Sequence, residues 1–197
     1  MATAVEVLKA WKYQADRVHL SPYDSRAFPE DLFVTLYHLA KPMLGLIFPG
    51  WNTTMTLADF VGFMNTHQKG MVIGVLKPDW KVAGWAWLNE IEGVSGARKA
   101  SFGFGFFRKF HRTPEIREIS RLALAYWFEQ IGIDVLYGAT LRRNYAAIRF
   151  SREMGFNQIG VAPKFFVKDG KMEDAWLVCL ERGDFERNTF STEQVVI

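Results

Sequence analysis

The sequence predicts an α+β protein: a central mixed, mostly antiparallel sheet flanked by helices. Three observations carry this. The stretch from Phe104 opens with alternating Phe and Gly, which reads as a strand, a helix-period stretch starts at Thr113-Pro114, and an apolar run follows at 135–140. A strand, a crossover helix and a second strand make a βαβ unit, which is usually parallel and right-handed. Two pairs of β-rich runs, 70–76 with 82–92 and 156–167 with 172–181, are each joined by a short turn and read as antiparallel hairpins. Two helix-period stretches precede the strands.

Taken in order, residues 1–29 are a mixed stretch in which a first strand fits but has no defined place. From Glu30 to Ala40, Leu32, Phe33, Leu36, Tyr37 and Leu39 give a helix face, and Pro42 stops it. A connection containing Gly and Pro leads to a helix over 57–67, where Thr56 with Asp59 three residues later forms a near capping box. Pro78 and Asp79 set the turn of the first hairpin, and a strand over 99–107 follows the loop 93–98. Thr113 suits the cap of the next helix and Pro114 its first position, where a missing N–H costs nothing. Ile116, Ile119, Ala123, Tyr126 and Trp127 place one apolar face on that helix. Asn144, a short amphipathic helix and the stop Gly155-Phe156 come next, and Asp169-Gly170 is a type I′ hairpin signal.

Composition bounds the rest. A chain of 197 residues with 49% hydrophobic content and no repeat fits one globular domain over 1–183. Residues 184–197 turn polar without periodicity and read as a flexible C-terminal tail. The longest apolar run, 43–48, is far short of a membrane span, and a secretory signal pattern is missing, so a cytoplasmic protein is expected. Cys179, alone in an apolar strand-like run, reads as a structural thiol. A net charge of +3 does not by itself point to nucleic acid. His19, His38 and His67 show no ligand spacing, so no metal is expected. A monomer and a homodimer both remain open.

The end of the βαβ region carries a resemblance. Asn144, then Ala147 and Ile148, then Gly155-Phe156 eleven and twelve on, resemble the hallmark of the GCN5-related N-acetyltransferase (GNAT) superfamily, with the family's length before that Asn. The branch most resembled acetylates protein N-termini, ribosomal proteins included. Divergent bacteriophage members are also similar, which would place the protein in a host cytoplasm. The resemblance implies acetyl-CoA as cofactor and an amine acceptor, either a protein N-terminus or a small molecule. It also implies a V-shaped splay between the parallel strands 99–107 and 135–140, and a pyrophosphate held at the N-terminus of the following helix.

Carried over by position, the cofactor-binding residues are Phe106, Phe107, Arg108, His111, Arg112, Thr113, Asn144 and Ile148. The family's loop, Gln/Arg-x-x-Gly-x-Gly/Ala, reads here from His111 to Ile116, so Pro114 and Ile116 replace two small residues. Pro removes a backbone donor. Ser151 stands where many members carry a Tyr that protonates the leaving thiolate. Glu90 and Glu92, at the end of a predicted strand, are candidates for a general base acting through water. Phe48 and Trp51 either line a substrate groove, as the family implies, or belong to the core. Three readings stay open: an N-acetyltransferase, a GNAT-shaped protein without catalysis that serves binding or assembly, such as a phage head-assembly accessory, and a nucleobase-modifying enzyme on the same fold.

Overall fold

The computed structural model describes residues 13–26, 30–41, 55–168 and 170–193, without the side chains of 30–32 and 189–193. Phe48, Trp51 and Asp169 therefore lie outside the described residues. The strands are β1 (Val18–Pro22), β2 (Val72–Leu76), β3 (Lys81–Glu92), β4 (Lys99–Phe106), β5 (Val135–Leu141), β6 (Asn157–Lys168) and β7 (Lys171–Glu181). The helices are α1 (Glu30–Ala40), α2 (Leu57–Thr66), α3 (Pro114–Tyr126), α4 (Tyr145–Glu153) and α5 (Arg182–Glu193). The strands form one mixed sheet in the order β1-β2-β3-β4-β5-β7-β6. The expected α+β class and both hairpins are therefore present, and β1 settles into the stretch that sequence left unplaced.

The one parallel ladder described joins β4 to β5 over three rungs, from Lys99 opposite Val135 to Ser101 opposite Tyr137. Both strands run on past the last rung.

The chain forms two compact units, residues 1–89 with 103–127 and residues 90–102 with 128–197. In the first, Phe33, Leu36, Tyr37 and Ala40 of α1 meet Phe60, Phe63 and Met64 of α2 over Ile73, Val75, Trp85 and Trp87. The buried stripe of α1 thus runs 33, 36, 37, 40, the helical spacing, while Leu39, expected on that face, is exposed. Thr56 and Asp59 make both halves of the capping box at α2. Gly103 of β4 lies under Trp87: a Cβ there would stand 2.1 Å from the indole, so only glycine fits. At Gly84 a Cβ would meet the Gly105 carbonyl oxygen at 2.2 Å. The Phe-Gly alternation of β4 thus follows from close packing on β3.

In the second unit, Leu136 of β5 and Val178 and Leu180 of β7 are buried, as are Ile148 of α4 and Phe156. Phe156 stacks on Phe102 at 4.6 Å. Gly155 ends α4 at a φ of +88°, as its place in the sequence required. Cys179 is buried and burial pushes its thiol pKa up, which suits a packing role.

One expectation is corrected. The stretch read as a loose tail opens as α5. Phe185 packs on Phe128 at 5.1 Å, and Asp184 accepts from the side-chain amide of Asn157. The helix has almost no apolar periodicity of its own, so its order depends on tertiary contacts such as these.

Candidate active site

In the first unit, β4 leads into a basic turn and then α3. Phe106 and Phe107 are buried, so their rings are structural. The Phe107 N–H donates to the Ala83 carbonyl at 2.9 Å, and the Phe106 carbonyl accepts from His111 Nε2 at 2.8 Å. His111 is therefore a brace that ties the turn back to the strand, and its Nε2 carries the donated proton. Arg108 and Lys109 sit on a single 3-10 turn, Arg108–Phe110, and are exposed. Lys109 lies over the Phe110 ring at 4.7 Å. Arg112 is exposed and holds a φ of +66°, a left-handed conformation that an arginine adopts at some cost.

Thr113 is the N-cap of α3 and Pro114 its first residue, as expected. The expected capping bond is absent: the Thr113 hydroxyl is buried and has no hydrogen-bond partner among the described residues. Pro114 is exposed, so its ring stands at the mouth of the helix end. Ile116 does not crowd this end. It is buried on the same stripe as Ile119 and Ala123, which turns it into the core. Glu115 in the first turn pairs with Arg17 at 3.0 Å. Arg17 comes from the segment that sequence left unread, and nothing local could have signalled this pairing across nearly a hundred residues.

In the second unit, α4 carries Asn144, Ile148 and Ser151. The Asn144 side-chain oxygen accepts from the Ala147 N–H at 3.2 Å, so Asn144 caps the helix and keeps only its amide donors for other use. Ile148 is buried and Ser151 half-buried. Glu92 is engaged by Lys99 at 3.0 Å, and this bond raises the Lys99 pKa. Glu90 is exposed and adopts a φ of +44° inside β3, a distortion that sequence could not signal. Left-handed non-glycine residues within strands cluster at functional sites. Among the described residues no group of three or more His, Cys, Asp or Glu is placed to hold a metal, and no helix is long and apolar enough to cross a membrane.

No curated protein matches the sequence. Solved structures share its fold. A spermidine N-acetyltransferase from Vibrio cholerae in complex with CoA and spermine is 15% identical, with a TM-score of 0.71 over 87% of this chain and 99% of that one. A ribosomal-protein-S5-alanine acetyltransferase from Vibrio fischeri is 15% identical, with a TM-score of 0.67 over 87% and 97%. A GCN5-related N-acetyltransferase from Brucella melitensis is 20% identical, with a TM-score of 0.68 over 88% and 79%. The sequence itself matches the family described as acetyltransferase (GNAT) domain over residues 17–157, more than half of its length, so this chain belongs to the GNAT acetyltransferase family.

Proposed function

We propose that the protein transfers an acetyl group from acetyl-CoA to a primary amine, either of a small polyamine or of a protein N-terminus. The observation that carries this is the start of α3. The first amides of a helix have no partner within it, and its dipole favours an anion there. Here that end is flanked by the exposed Arg108 and Arg112 and holds the unpaired Thr113 hydroxyl. These groups suit a pyrophosphate, because hydrogen bonds between ionised partners are the strong ones. When bound, acetyl-CoA supplies the activated thioester. Arg108, Arg112, Thr113 and the first-turn amides of α3 would hold its phosphates; by the family resemblance, Asn144 is a further cofactor-binding candidate, with its amide donors still available.

The acceptor amine must be neutral before it attacks. Glu90, exposed on the distorted end of β3, takes that proton through water. The Ser151 hydroxyl, seven residues after Asn144, would serve as hydrogen-bond donor to the departing thiolate. A polyamine or α-amine acceptor is supported by the names of the similar folds, a spermidine and a ribosomal-protein acetyltransferase. The ribosomal-protein branch and a bacteriophage origin are finer readings that rest on sequence resemblance alone.

Two features favour a second reading, a binding or assembly protein without catalysis: Pro114 offers no N–H, and His111 Nε2 is already engaged. Loss of one donor to a charged group amounts to about 1.5–3 kcal/mol, one to two decades of affinity. Two arginines offset that. Calorimetry with acetyl-CoA decides between the readings. Micromolar binding that weakens tenfold or more in Arg112→Ala and persists in Pro114→Gly, with acetyl transfer to spermidine or an α-amine peptide lost in Glu90→Gln, supports the enzyme. If millimolar acetyl-CoA fails to bind and Pro114→Gly restores binding, the loop is disabled and the assembly reading replaces it.

A further inference from the structure

The start of α3 carries one charge that opposes an arriving anion. Glu115 is the acidic residue of the first turn, and its side chain is only 21% exposed. A carboxylate in that place gains from the helix dipole, yet it repels any second anion that approaches the same amides. The Arg17 guanidinium answers it at 3.0 Å, from a side chain that is 64% exposed. An ion pair so open to water adds little to stability. What it changes is the charge at the helix mouth, where Glu115 would otherwise oppose the exposed Arg108 and Arg112.

The fold brings Arg17 to this place through its backbone. The Ala15 N–H donates to the Val18 carbonyl at 3.0 Å and the Leu20 N–H to the Tyr13 carbonyl at 2.9 Å, so residues 13–20 double back on themselves. The Arg17 carbonyl accepts from the Lys77 N–H at 2.8 Å, one step beyond the β1–β2 ladder. Val18 and Leu20 are fully buried. Gly74, opposite Leu20, has no room for a Cβ, which would stand 2.5 Å from Ile119 of α3. Tyr13 meets Tyr126, the last residue of α3, edge-on at 5.5 Å. The segment is thus fastened along α3, with Tyr13 at the end of the helix and Arg17 at its start.

We infer that Arg17 is a positioning residue for the anion-binding end of α3: it holds the Glu115 carboxylate to one side and cancels its charge, so that a diphosphate meets the first-turn amides without an opposing anion. This rests on the acetyl-CoA reading above and adds to it a residue outside the loop, nearly a hundred positions away in sequence. Arg17 acts through Glu115 and does not itself touch the ligand. Without the guanidinium, the carboxylate is an uncompensated negative charge in the same helix turn as the phosphates. Such a charge, partly screened by water, is expected to weaken binding about three- to tenfold.

A double-mutant cycle on the full chain tests this, by calorimetry at low ionic strength with acetyl-CoA and, separately, with inorganic pyrophosphate. Arg17→Ala is expected to raise the Kd for either ligand about three- to tenfold, and Arg17→Lys, which keeps the charge, to restore most of it. Glu115→Gln alone should bind at least as tightly as the native chain. In the Glu115→Gln background, Arg17→Ala should change nothing, an outcome that a merely structural role for Arg17 would not give. Circular dichroism shows whether each variant is folded, and Arg17→Gln takes the place of Arg17→Ala if the latter is not. Native binding that is indifferent to Arg17→Ala, or a loss that survives Glu115→Gln unchanged, overturns this inference and leaves the acetyl-CoA reading standing. A chain that binds pyrophosphate but not acetyl-CoA removes that reading while the cycle still decides on Arg17, and one that binds neither removes both.

Discussion

Thr113 shows how one hydroxyl separates stability from binding. A buried polar group without a partner costs roughly 1–3 kcal/mol, and the Thr113 oxygen makes no capping bond. Thr113→Val is therefore expected to leave the melting temperature of the free protein unchanged or raise it by a few degrees, while acetyl-CoA affinity falls about tenfold; differential scanning fluorimetry and calorimetry on the same preparation read both. His19 poses the opposite case. It is fully buried on β1, edge-on to Trp80 at 5.6 Å, with neither ring nitrogen bonded among the described residues. Burial, and then the Lys77 charge, lower its pKa from the ordinary 6.5. The unfolded chain therefore binds a proton that the folded one refuses, so stability is held above about pH 6.5 and lost as pH falls below it. Urea midpoints between pH 7.5 and 5 should drop for the native chain and stay flatter in His19→Leu; equal slopes would show that His19 does not drive the loss.

At the scale of elements, α5 is held from outside. An aromatic pair adds about 0.5–1.5 kcal/mol beyond its area, and the Phe185–Phe128 contact is the main apolar attachment described for this helix. Truncation after Asp184 is expected to lower the melting temperature by several degrees, at about 2–4 °C per kcal/mol for a chain of this size. An unchanged melt would mean that the packing of α5 contributes nothing. The earlier elements are of another kind. The α2 capping box, the buried stripe of α3 and the glycine stop of α4 were legible in sequence, because each depends on residues three to eleven positions apart. The extent of the β4–β5 ladder and the bulges of β6 were not legible, because they are settled between strands far apart in sequence.

For the whole molecule, ligand binding must appear as stability. If acetyl-CoA binds only the folded chain, a hundredfold excess over its Kd adds about 2.7 kcal/mol, and the melting temperature should rise by roughly 5–10 °C. A shift abolished by Arg112→Ala would locate the binding at α3; no shift at millimolar acetyl-CoA would remove the acetyltransferase reading for this chain. Sequence by itself determined the α+β class, the starts of α2 and α3, the glycine stop of α4, both hairpins and the family, since periodicity, caps, turns and the spacing from Asn144 to Phe156 are written locally. Only the tertiary structure decided that His111 braces the turn, that Thr113 caps nothing, that Ile116 leaves the helix mouth for the core, that Arg17 answers Glu115, and that Glu90 is held in a left-handed conformation. The physical reason is that a hydrogen-bond partner or a strained φ is chosen by which distant groups the packed sheet and helices bring within a few ångströms, and local sequence does not encode that proximity.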